Sequence, residues 1–348
     1  MAASFYQNVF EKICIDKFVS SSDRFIESQT LIAMKNFLSI VMILCWLLSF
    51  GYSNAQFRVI GYIHPHIGGN EAEKIEFQKL THLNIAFVNP DSAGQLQLPP
   101  GFDSLIKAAH RYKVKVLASI GGGSHNPYYA ALLTDGNRPA FVQKLIKLTN
   151  EHHLDGIDVD IENDNIDENY VRLVTDLSRQ LKPLKKLLTS AVATWNGERI
   201  PDAALRKFDF INVMSYDETG PWKPEKPGPH ASFEKAENDL KYWSVTRKIS
   251  AKKINLGVPF YGYCFGTKYN ASMPYKDIII NFPGAEEKDV VMPDGGGAIY
   301  YNGLSTIKNK VKLALKQAGG IMIWELMQDS DNELSLLKGI NDIIKSNK

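Results

Sequence analysis

The chain has 348 residues, of which 44% are hydrophobic, and its 40 Lys and Arg nearly balance its 38 Asp and Glu. This length permits one large α/β domain or two ordinary ones. The balanced charge gives no basic footprint for nucleic acid or an anionic membrane surface, so neither is expected as a partner.

The N-terminal part of the sequence does not resemble the start of a fold. A short basic region precedes an apolar run over residues 37–50, which is too short to span a bilayer comfortably, and small residues follow it. We predict that residues 1–33 are an extension upstream of the natural start, that 34–55 are a secretory signal peptide, and that 56–348 are the mature catalytic domain. The protein is therefore expected to be secreted or periplasmic, with a single-pass membrane anchor as the alternative.

Beyond residue 56, short β-rich runs alternate with segments of helical periodicity. The predicted strands are Phe57–Ile63, His82–Phe87, Lys115–Ile120, Gly156–Ile161, Leu188–Ala193, Phe208–Met214, Ile254–Pro259 and Gly320–Trp324. The predicted helices are Glu71–Leu80, Phe102–Tyr112, Arg138–His153, Asn169–Leu181, Asp202–Lys207, Ser232–Arg247, Leu304–Gln317 and Glu333–Lys345.

This alternation predicts a parallel sheet with right-handed crossovers, and eight units fit a closed (β/α)8 TIM barrel of the α/β class. An open doubly wound sheet is the alternative, but no phosphate-binding glycine turn follows the first strand. The longest connection, residues 261–303, is rich in Gly, Pro and Asn. We expect it to be a short irregular insertion over the barrel mouth before the eighth strand.

The fourth predicted strand carries an unusual column of acids. Asp158, Asp160 and Glu162 alternate with β-branched residues, so the three carboxylates share one face of the strand. Burial and like charges raise the pKa of a carboxyl group, and a group that keeps its proton near neutral pH can act as a general acid. Glu162 should lie nearest the mouth of the barrel. A solvated acidic strand edge or a calcium loop is the alternative, although the β-branched residues argue against an EF-hand.

Polar and aromatic residues end several other predicted strands, where the active site of such a barrel lies. Aromatic rings stack on the apolar faces of sugars, and carboxylates bind sugar hydroxyls, so this pattern is typical of a carbohydrate cleft. The residues are Tyr62, Ser119, Gly121, Met214, Tyr216, Asp217 and Trp324. Tyr62, Phe87 and Trp195 are candidates either for sugar contacts or for the core. Met214, Tyr216 and Trp324 have the same alternative.

Five motifs, in the correct order, resemble those of glycoside hydrolase family 18, which comprises chitinases and endo-β-N-acetylglucosaminidases. They are Asp155–Glu162 (D-G-x-D-x-D-x-E), Ser119–Gly122 (S-x-G-G), Met214–Asp217 (M-x-Y-D), Gly257–Gly262 (G-V-P-F-Y-G) and Trp324. The resemblance extends over about residues 57–337, which is nearly all of the predicted mature domain.

The resemblance implies a catalytic role for each acid. Glu162 would protonate the glycosidic oxygen, Asp160 would bind the substrate's acetamido group, and Asp158 would tune Asp160 from a position near Ser119. Because the three acids lie on one strand, none stands opposite Glu162 as a nucleophile. The N-acetyl carbonyl of the substrate would take that role. This substrate-assisted mechanism makes the family an exception among retaining glycoside hydrolases, most of which use a carboxylate of the enzyme as the nucleophile.

The resemblance also implies contacts with the substrate. Tyr216 would assist catalysis with Asp217 by steadying the acetamido group, Trp324 would form the floor of the cleavage subsite, and Trp222 would stack a sugar on the leaving-group side. A lid anchor is the alternative role for Trp222. The remaining predicted substrate contacts are Met214, Tyr62, Phe87, Ser119 and Gly121. No metal and no cofactor is expected, and the protein is expected to be a monomer.

Some positions depart from the family's pattern. Ile161, Asn163 and Asp164 stand where many chitinases have an aromatic, a second aromatic and a proline, and Tyr263 stands where an arginine is usual. The 261–303 connection is too short for the full α+β domain of many exo-acting members, so we expect an open groove with endo-type binding. The predicted substrate is chitin or chitooligosaccharide, and the alternatives are the chitobiose core of N-glycans or a non-catalytic lectin.

Overall fold

The computed structural model describes residues 37, 39–41, 56–64, 74–98, 101–124, 126–162 and 166–347. The chain divides into two compact units, Met1–Ala55 and Gln56–Lys348. Within the predicted signal peptide, residues 37 and 39–41 are helical, and the rest of that segment lies outside the described residues. In the described part of the chain, no helix combines the length and the apolar character that crossing a bilayer requires.

Eight parallel strands of the second unit close into a barrel. They are β1 (Arg58–Ile63), β2 (His82–Ala86), β3 (Lys115–Gly121), β4 (Gly156–Asp160), β5 (Leu187–Val192), β6 (Phe210–Val213), β7 (Ile254–Pro259) and β12 (Gly320–Trp324), with four further strands between β7 and β12. Their order around the barrel is β1-β12-β7-β6-β5-β4-β3-β2. The predicted (β/α)8 barrel is confirmed, and closure of the sheet excludes the open doubly wound alternative.

Helices follow most barrel strands. They are α1 (Phe102–Arg111), α2 (Tyr128–Leu132), α3 (Arg138–Glu151), α4 (Glu168–Leu181), α5 (Asp202–Leu205), α6 (Phe233–Lys241), α7 (Tyr275–Asn281), α8 (Leu304–Gln317) and α9 (Leu336–Ser346). Asp167, Ser232 and Ser335 cap α4, α6 and α9, because their side chains accept first-turn amide hydrogens that lack an intrahelical partner. Where a helix over 71–80 was predicted, the described residues form a 3-10 turn at Phe77–Lys79, and residues 71–73 lie outside the described part.

The core has two layers, which follow from the alternation along each strand. Ile157 and Val159 of β4 point outward and are fully buried against the surrounding helices. The alternate residues point into the barrel, where a smaller apolar cluster includes Ile60, Tyr62 and Met322. β4 is therefore buried on both faces, and its inward face carries the acids.

The insertion before the eighth barrel strand is regular, so the expectation of an irregular excursion was wrong. It contains β8 (Tyr261–Phe265), β9 (Ser272–Pro274), β10 (Val290–Val291) and β11 (Ala298–Tyr300), which form an antiparallel sheet in the order β10-β11-β8-β9. Helix α7 connects β9 to β10 through a short 3-10 turn. Phe265 pairs with Ala298 across a long stretch of sequence, and local composition does not reveal such a pairing. The insertion is a small α+β subdomain.

Candidate active site

The carboxylate of Asp158 lies on the inner face of β4 and is completely buried. Three hydroxyl groups donate hydrogen bonds to it, those of Tyr62 at 2.7 Å, Ser119 at 2.8 Å and Thr189 at 2.5 Å. Burial raises the pKa of Asp158, and these hydrogen bonds oppose the rise. Because the donors come from β1, β3 and β5, they fix the carboxylate from several sides. Ser119 is also the register partner of Asp158, as the predicted proximity of these two residues requires.

Asp160 lies two residues further along β4 and is 3% exposed. Its Oδ1 atom is buried and has no hydrogen-bond partner among the described residues. Burial raises the pKa of Asp160 well above its usual value, and the negative charges of Glu162 and Asp158 raise it further. Asp160 therefore presents an unsatisfied carboxyl oxygen beside a second acid.

Glu162 follows β4 and is partly buried. Burial, and then the negative charge of Asp217, raises the pKa of Glu162 to about 7. A glutamic acid with this pKa still carries its proton in a large fraction of molecules at neutral pH, as a general acid requires. The column of acids thus runs from a buried, hydrogen-bonded member to one that can donate a proton.

A cavity of about 220 Å³ opens above this column, at the carboxyl ends of six barrel strands. It is lined by Phe87, Gly123, Asp160, Glu162, Ala193, Trp195, Met214, Tyr216, Asp217 and Trp324. The structure therefore brings together two of the predicted acids, the predicted Tyr216 and the predicted contacts Phe87, Met214, Asp217 and Trp324. These side chains can surround one small, uncharged ring with polar substituents.

Aromatic packing fixes the floor of the cavity. The rings of Trp324 and Phe87 are nearly parallel with centroids 5.7 Å apart, and Tyr62 packs under Trp324 at 5.6 Å. Trp195 was predicted either to contact a sugar or to lie in the core. Its side chain is 68% exposed and lines the cavity. Trp222 is 53% exposed and does not line this cavity; it stands edge-on against Tyr263, with centroids 5.1 Å apart.

Three of the predicted substrate contacts require correction. Tyr62 and Ser119 are almost fully buried beneath the cavity, and their hydroxyl groups bind Asp158. Gly121 is buried as well, and its amide donates to Asn89. All three residues support the acids and do not line the cavity. They were predicted as substrate contacts because the sequence indicates that a residue faces inward but not how deep it lies within the barrel.

Two glycines after β3 allow the chain to approach the acids closely. A Cβ atom at Gly121 would come within 2.3 Å of the carbonyl oxygen of Asp160, and one at Gly122 would meet the ring of Phe87 at 2.6 Å. Both have positive φ, 108° and 98°, which glycine adopts far more readily than other residues. Next to them, Gly123 lines the cavity itself and was missed by sequence reasoning.

Asp217 lines the cavity a few residues beyond the end of β6 and has its own support. The hydroxyl group of Tyr261 donates a hydrogen bond to its Oδ1 atom, and the Nδ1 atom of His230 lies 3.4 Å from the same oxygen. His230 is fully buried and was also missed, because it lies in a Pro- and Gly-rich loop with no motif around it. Asn163 and Asp164, noted as departures from the family pattern, lie outside the described residues.

A closed eight-stranded barrel with this column of acids at its mouth defines a glycoside hydrolase architecture. The family model of glycosyl hydrolases family 18 matches residues 58–329. The chain belongs to this family, as predicted, and is a glycoside hydrolase of the chitinase type.

Solved structures and curated proteins agree with this assignment. A chitinase from the chitin utilization locus of Flavobacterium johnsoniae has a TM-score of 0.78 and 38% identity, over 85% of this chain and 96% of that one. A chitinase from Bacteroides thetaiotaomicron has a TM-score of 0.72 and 33% identity, over 83% and 96%. A chitinase-like effector of Moniliophthora roreri is 28% identical over 264 residues, which are 66% of this chain and 64% of that protein's length.

Proposed function

We propose that this protein hydrolyses the β-1,4 bonds between N-acetylglucosamine units of chitin or chitooligosaccharides, with Glu162 as the acid and the substrate's acetamido group as the nucleophile. The observation that carries the proposal is the pairing of Glu162, whose pKa is about 7, with the buried Asp160 at one end of the same cavity. The chitinase from Flavobacterium supports chitin as the substrate class.

In the first step, Glu162 transfers its proton to the glycosidic oxygen, and the bond from that oxygen to the anomeric carbon breaks. The acetamido carbonyl oxygen forms a bond to the anomeric carbon, which gives an oxazolinium-type intermediate. The free Oδ1 atom of Asp160 accepts the acetamido N–H and stabilises the developing positive charge. Glu162, now ionised, removes a proton from water, whose oxygen opens the intermediate and restores the starting stereochemistry.

Asp217 is the rival nucleophile, because it is a second carboxylate in the same cavity. One of its oxygens already accepts a hydrogen bond from Tyr261, which makes that oxygen a weaker nucleophile. The two mechanisms differ in what they demand of the substrate. Substrate assistance requires the 2-acetamido group, whereas an aspartate nucleophile does not.

The decisive experiment compares two fluorogenic substrates that differ in that group alone. The 4-methylumbelliferyl glycosides of chitobiose and of cellobiose are incubated with the purified protein, and initial rates are recorded. We expect hydrolysis of the chitobioside only. Equal rates on the two would refute substrate assistance, and no turnover of the chitobioside or of chitin oligomers would refute the proposed activity.

Two other activities are tested in the same series. Release of glycans from a high-mannose glycoprotein, with no cleavage of chitin oligomers, would identify an endo-β-N-acetylglucosaminidase. Binding without cleavage would identify a lectin, a role to which the chitinase-like effectors draw attention. Glu162 and its raised pKa favour catalysis over binding alone.

We further propose that the protein acts outside the cytoplasm as a monomer after removal of residues 34–55, together with any residues upstream. The apolar run over 37–50 and the small residues that follow it support export and cleavage. N-terminal sequencing of the exported protein should give Gln56 or a neighbouring residue. Light scattering should give the mass of one chain, and a larger mass would refute the monomer.

A further inference from the structure

We infer that His230 is a positioning residue for the proposed hydrolysis: it orients Asp217 toward the cavity and through it acts on the proton donor Glu162. His230 does not line the cavity, and its side chain is 1% exposed. The inference rests on the proposed activity, because its readout is the rate of that reaction.

The ring of His230 touches both the main chain and the side chain of Asp217. The amide N–H of Asp217 points at Nδ1 of His230 over 3.5 Å, and the same nitrogen lies 3.4 Å from the Oδ1 atom of Asp217. Asp217 has a φ of 60°, in the left-handed region that non-glycine residues rarely occupy. The ring therefore lies against a residue whose backbone needs support and whose carboxylate faces the site.

Aromatic rings hold the imidazole in place. The centroids of Tyr261 and Tyr263 lie 5.1 Å and 4.8 Å from that of His230, and the two tyrosine rings are 5.3 Å apart. Tyr261 also donates its hydroxyl hydrogen to Asp217. A buried ring packed in this way has one orientation available, so it can hold Asp217 in one orientation too.

The main chain around His230 is held as firmly as the ring. Its carbonyl oxygen accepts the amide hydrogen of Glu218 at 3.1 Å. The next carbonyl, that of Ala231, accepts hydrogen bonds from the buried Lys310 at 2.7 Å and from Asn302 at 2.9 Å. The loop that carries His230 is therefore anchored on the segment that follows β6 and on Lys310 of α8.

An arginine that is usual in the family is absent beside this histidine. Position 263, where the family resemblance places Arg, is Tyr in this chain. Among the described residues, His230 is the one basic side chain within ion-pair distance of Asp217. An imidazole at this place can donate one hydrogen bond when protonated and accept one when neutral, whereas a guanidinium group can only donate.

The link to Glu162 is electrostatic. Burial raises the pKa of Glu162, and the negative charge of Asp217 raises it further. The other titratable groups around these two acids are Asp160, Tyr216, Tyr261 and Tyr263. If Asp217 turns away from the cavity, its negative charge moves away from Glu162, and the pKa of Glu162 falls. A smaller fraction of Glu162 then carries a proton at neutral pH.

The test uses three substitutions of His230 that separate its two nitrogens. In His230→Asn, the amide nitrogen or oxygen can occupy the place of Nδ1 and contact Asp217. In His230→Gln, the amide reaches the place of Nε2, which has no hydrogen-bond partner among the described residues. His230→Leu removes both polar atoms. His82→Asn serves as the matched control, because His82 is buried at the opposite end of the barrel against Phe210.

The readout is the alkaline limb of the pH profile of kcat/KM on the chitobioside. We expect His230→Leu and His230→Gln to move this limb to lower pH by about half a unit to one unit, with a fall in rate at pH 7 of about two- to fivefold, because a smaller fraction of Glu162 then carries its proton. His230→Asn should restore most of both quantities, and His82→Asn should change neither. A purely structural role would lower the unfolding temperature of the three variants and leave the limb in place.

A double variant completes the test. If His230 acts through Asp217, His230→Leu should have little further effect on the limb in an Asp217→Asn background, so the two effects are not additive. Full additivity, or an unchanged limb in the folded His230→Leu protein, would overturn the inference. Failure of the wild-type protein to cleave the chitobioside would instead refute the proposed activity, so the two failures are distinguishable.

Discussion

Replacement of Tyr62 by Phe removes one hydroxyl group and leaves the packing beneath Trp324 in place. In the wild type this hydroxyl donates to Asp158 at 2.7 Å in a fully buried setting. A hydrogen bond to a charged group contributes about 1.5–3 kcal/mol, and one pKa unit corresponds to about 1.4 kcal/mol. We therefore expect the pKa of Asp158 to rise by about one to two units further in Tyr62→Phe.

The sign of the stability change follows from linkage. Burial already raises the pKa of Asp158 in the folded protein above that in the unfolded chain, so ionisation of Asp158 costs stability as the pH rises. The additional rise in Tyr62→Phe enlarges this cost. The variant should unfold with a free energy about 1.5–3 kcal/mol lower than the wild type at alkaline pH. The difference should shrink once the pH falls below the folded pKa of Asp158.

The assay is urea unfolding followed by tryptophan fluorescence at several pH values, together with initial rates on chitotetraose. Tyr301→Phe is the matched control, because Tyr301 is also fully buried but its hydroxyl donates to the neutral carbonyl of Ala285 at 2.6 Å. It should cost about 0.5–1.5 kcal/mol without a pH dependence of this kind. An equal, pH-independent loss in the two variants would refute the coupling to Asp158. A rise in KM without loss of stability in Tyr62→Phe would instead indicate that Tyr62 contacts the substrate, as the sequence predicted.

Three further substitutions test the rest of the site and one buried charge. Glu162→Gln should lower kcat by at least about a hundredfold and leave the Kd for chitotetraose nearly unchanged in calorimetry, since the amide keeps the shape but has no proton to give; turnover at the wild-type rate would contradict the acid role. Asp160→Asn should lower kcat and move the alkaline limb to lower pH, because the charge of Glu162 raises the pKa of Asp160 and the two coupled acids hold their last proton more tightly than Glu162 would alone; an unchanged profile would contradict the coupling. Burial lowers the pKa of Lys310 to about 7, so the unfolded chain holds more protons than the folded one between pH 7 and 10.5 and wild-type stability should rise over that range. In Lys310→Met this rise, at most about 5 kcal/mol, should disappear in urea unfolding, whereas substitution of the exposed Lys312 by Met should preserve it.

Local patterns in the sequence predicted the barrel and the direction of its acids. The alternation of Asp158, Asp160 and Glu162 is a property of neighbouring residues, and a strand converts it directly into one face. The eight repeated strand-and-helix units likewise favoured a closed barrel over an open sheet. These parts of the prediction depend on periods of two residues and of 3.6 residues, which a single sequence displays.

The parts that could not be predicted depend on which distant residues meet. The depth of Tyr62 within the barrel follows from the stagger between strands, which pairs it with Asn84 and places its hydroxyl at Asp158. The sheet of the insertion depends on the pairing of β8 with β11, and these two strands are separated in the sequence by β9, α7 and β10. His230 belongs to the site through contacts with residues 217 and 261, and no motif surrounds it in the sequence.

The first strand of the insertion limits how this part of the chain can be exchanged in a chimeric enzyme. Tyr261 and Tyr263 belong to β8, which starts two residues after the barrel strand β7 ends, and the same two rings enclose the histidine behind Asp217. The insertion therefore also supplies part of the scaffold of a carboxylate in the cavity. We expect a chimera that exchanges residues 261–303 for a relative's insertion to alter the acid–base behaviour of the enzyme, unless both tyrosines are kept.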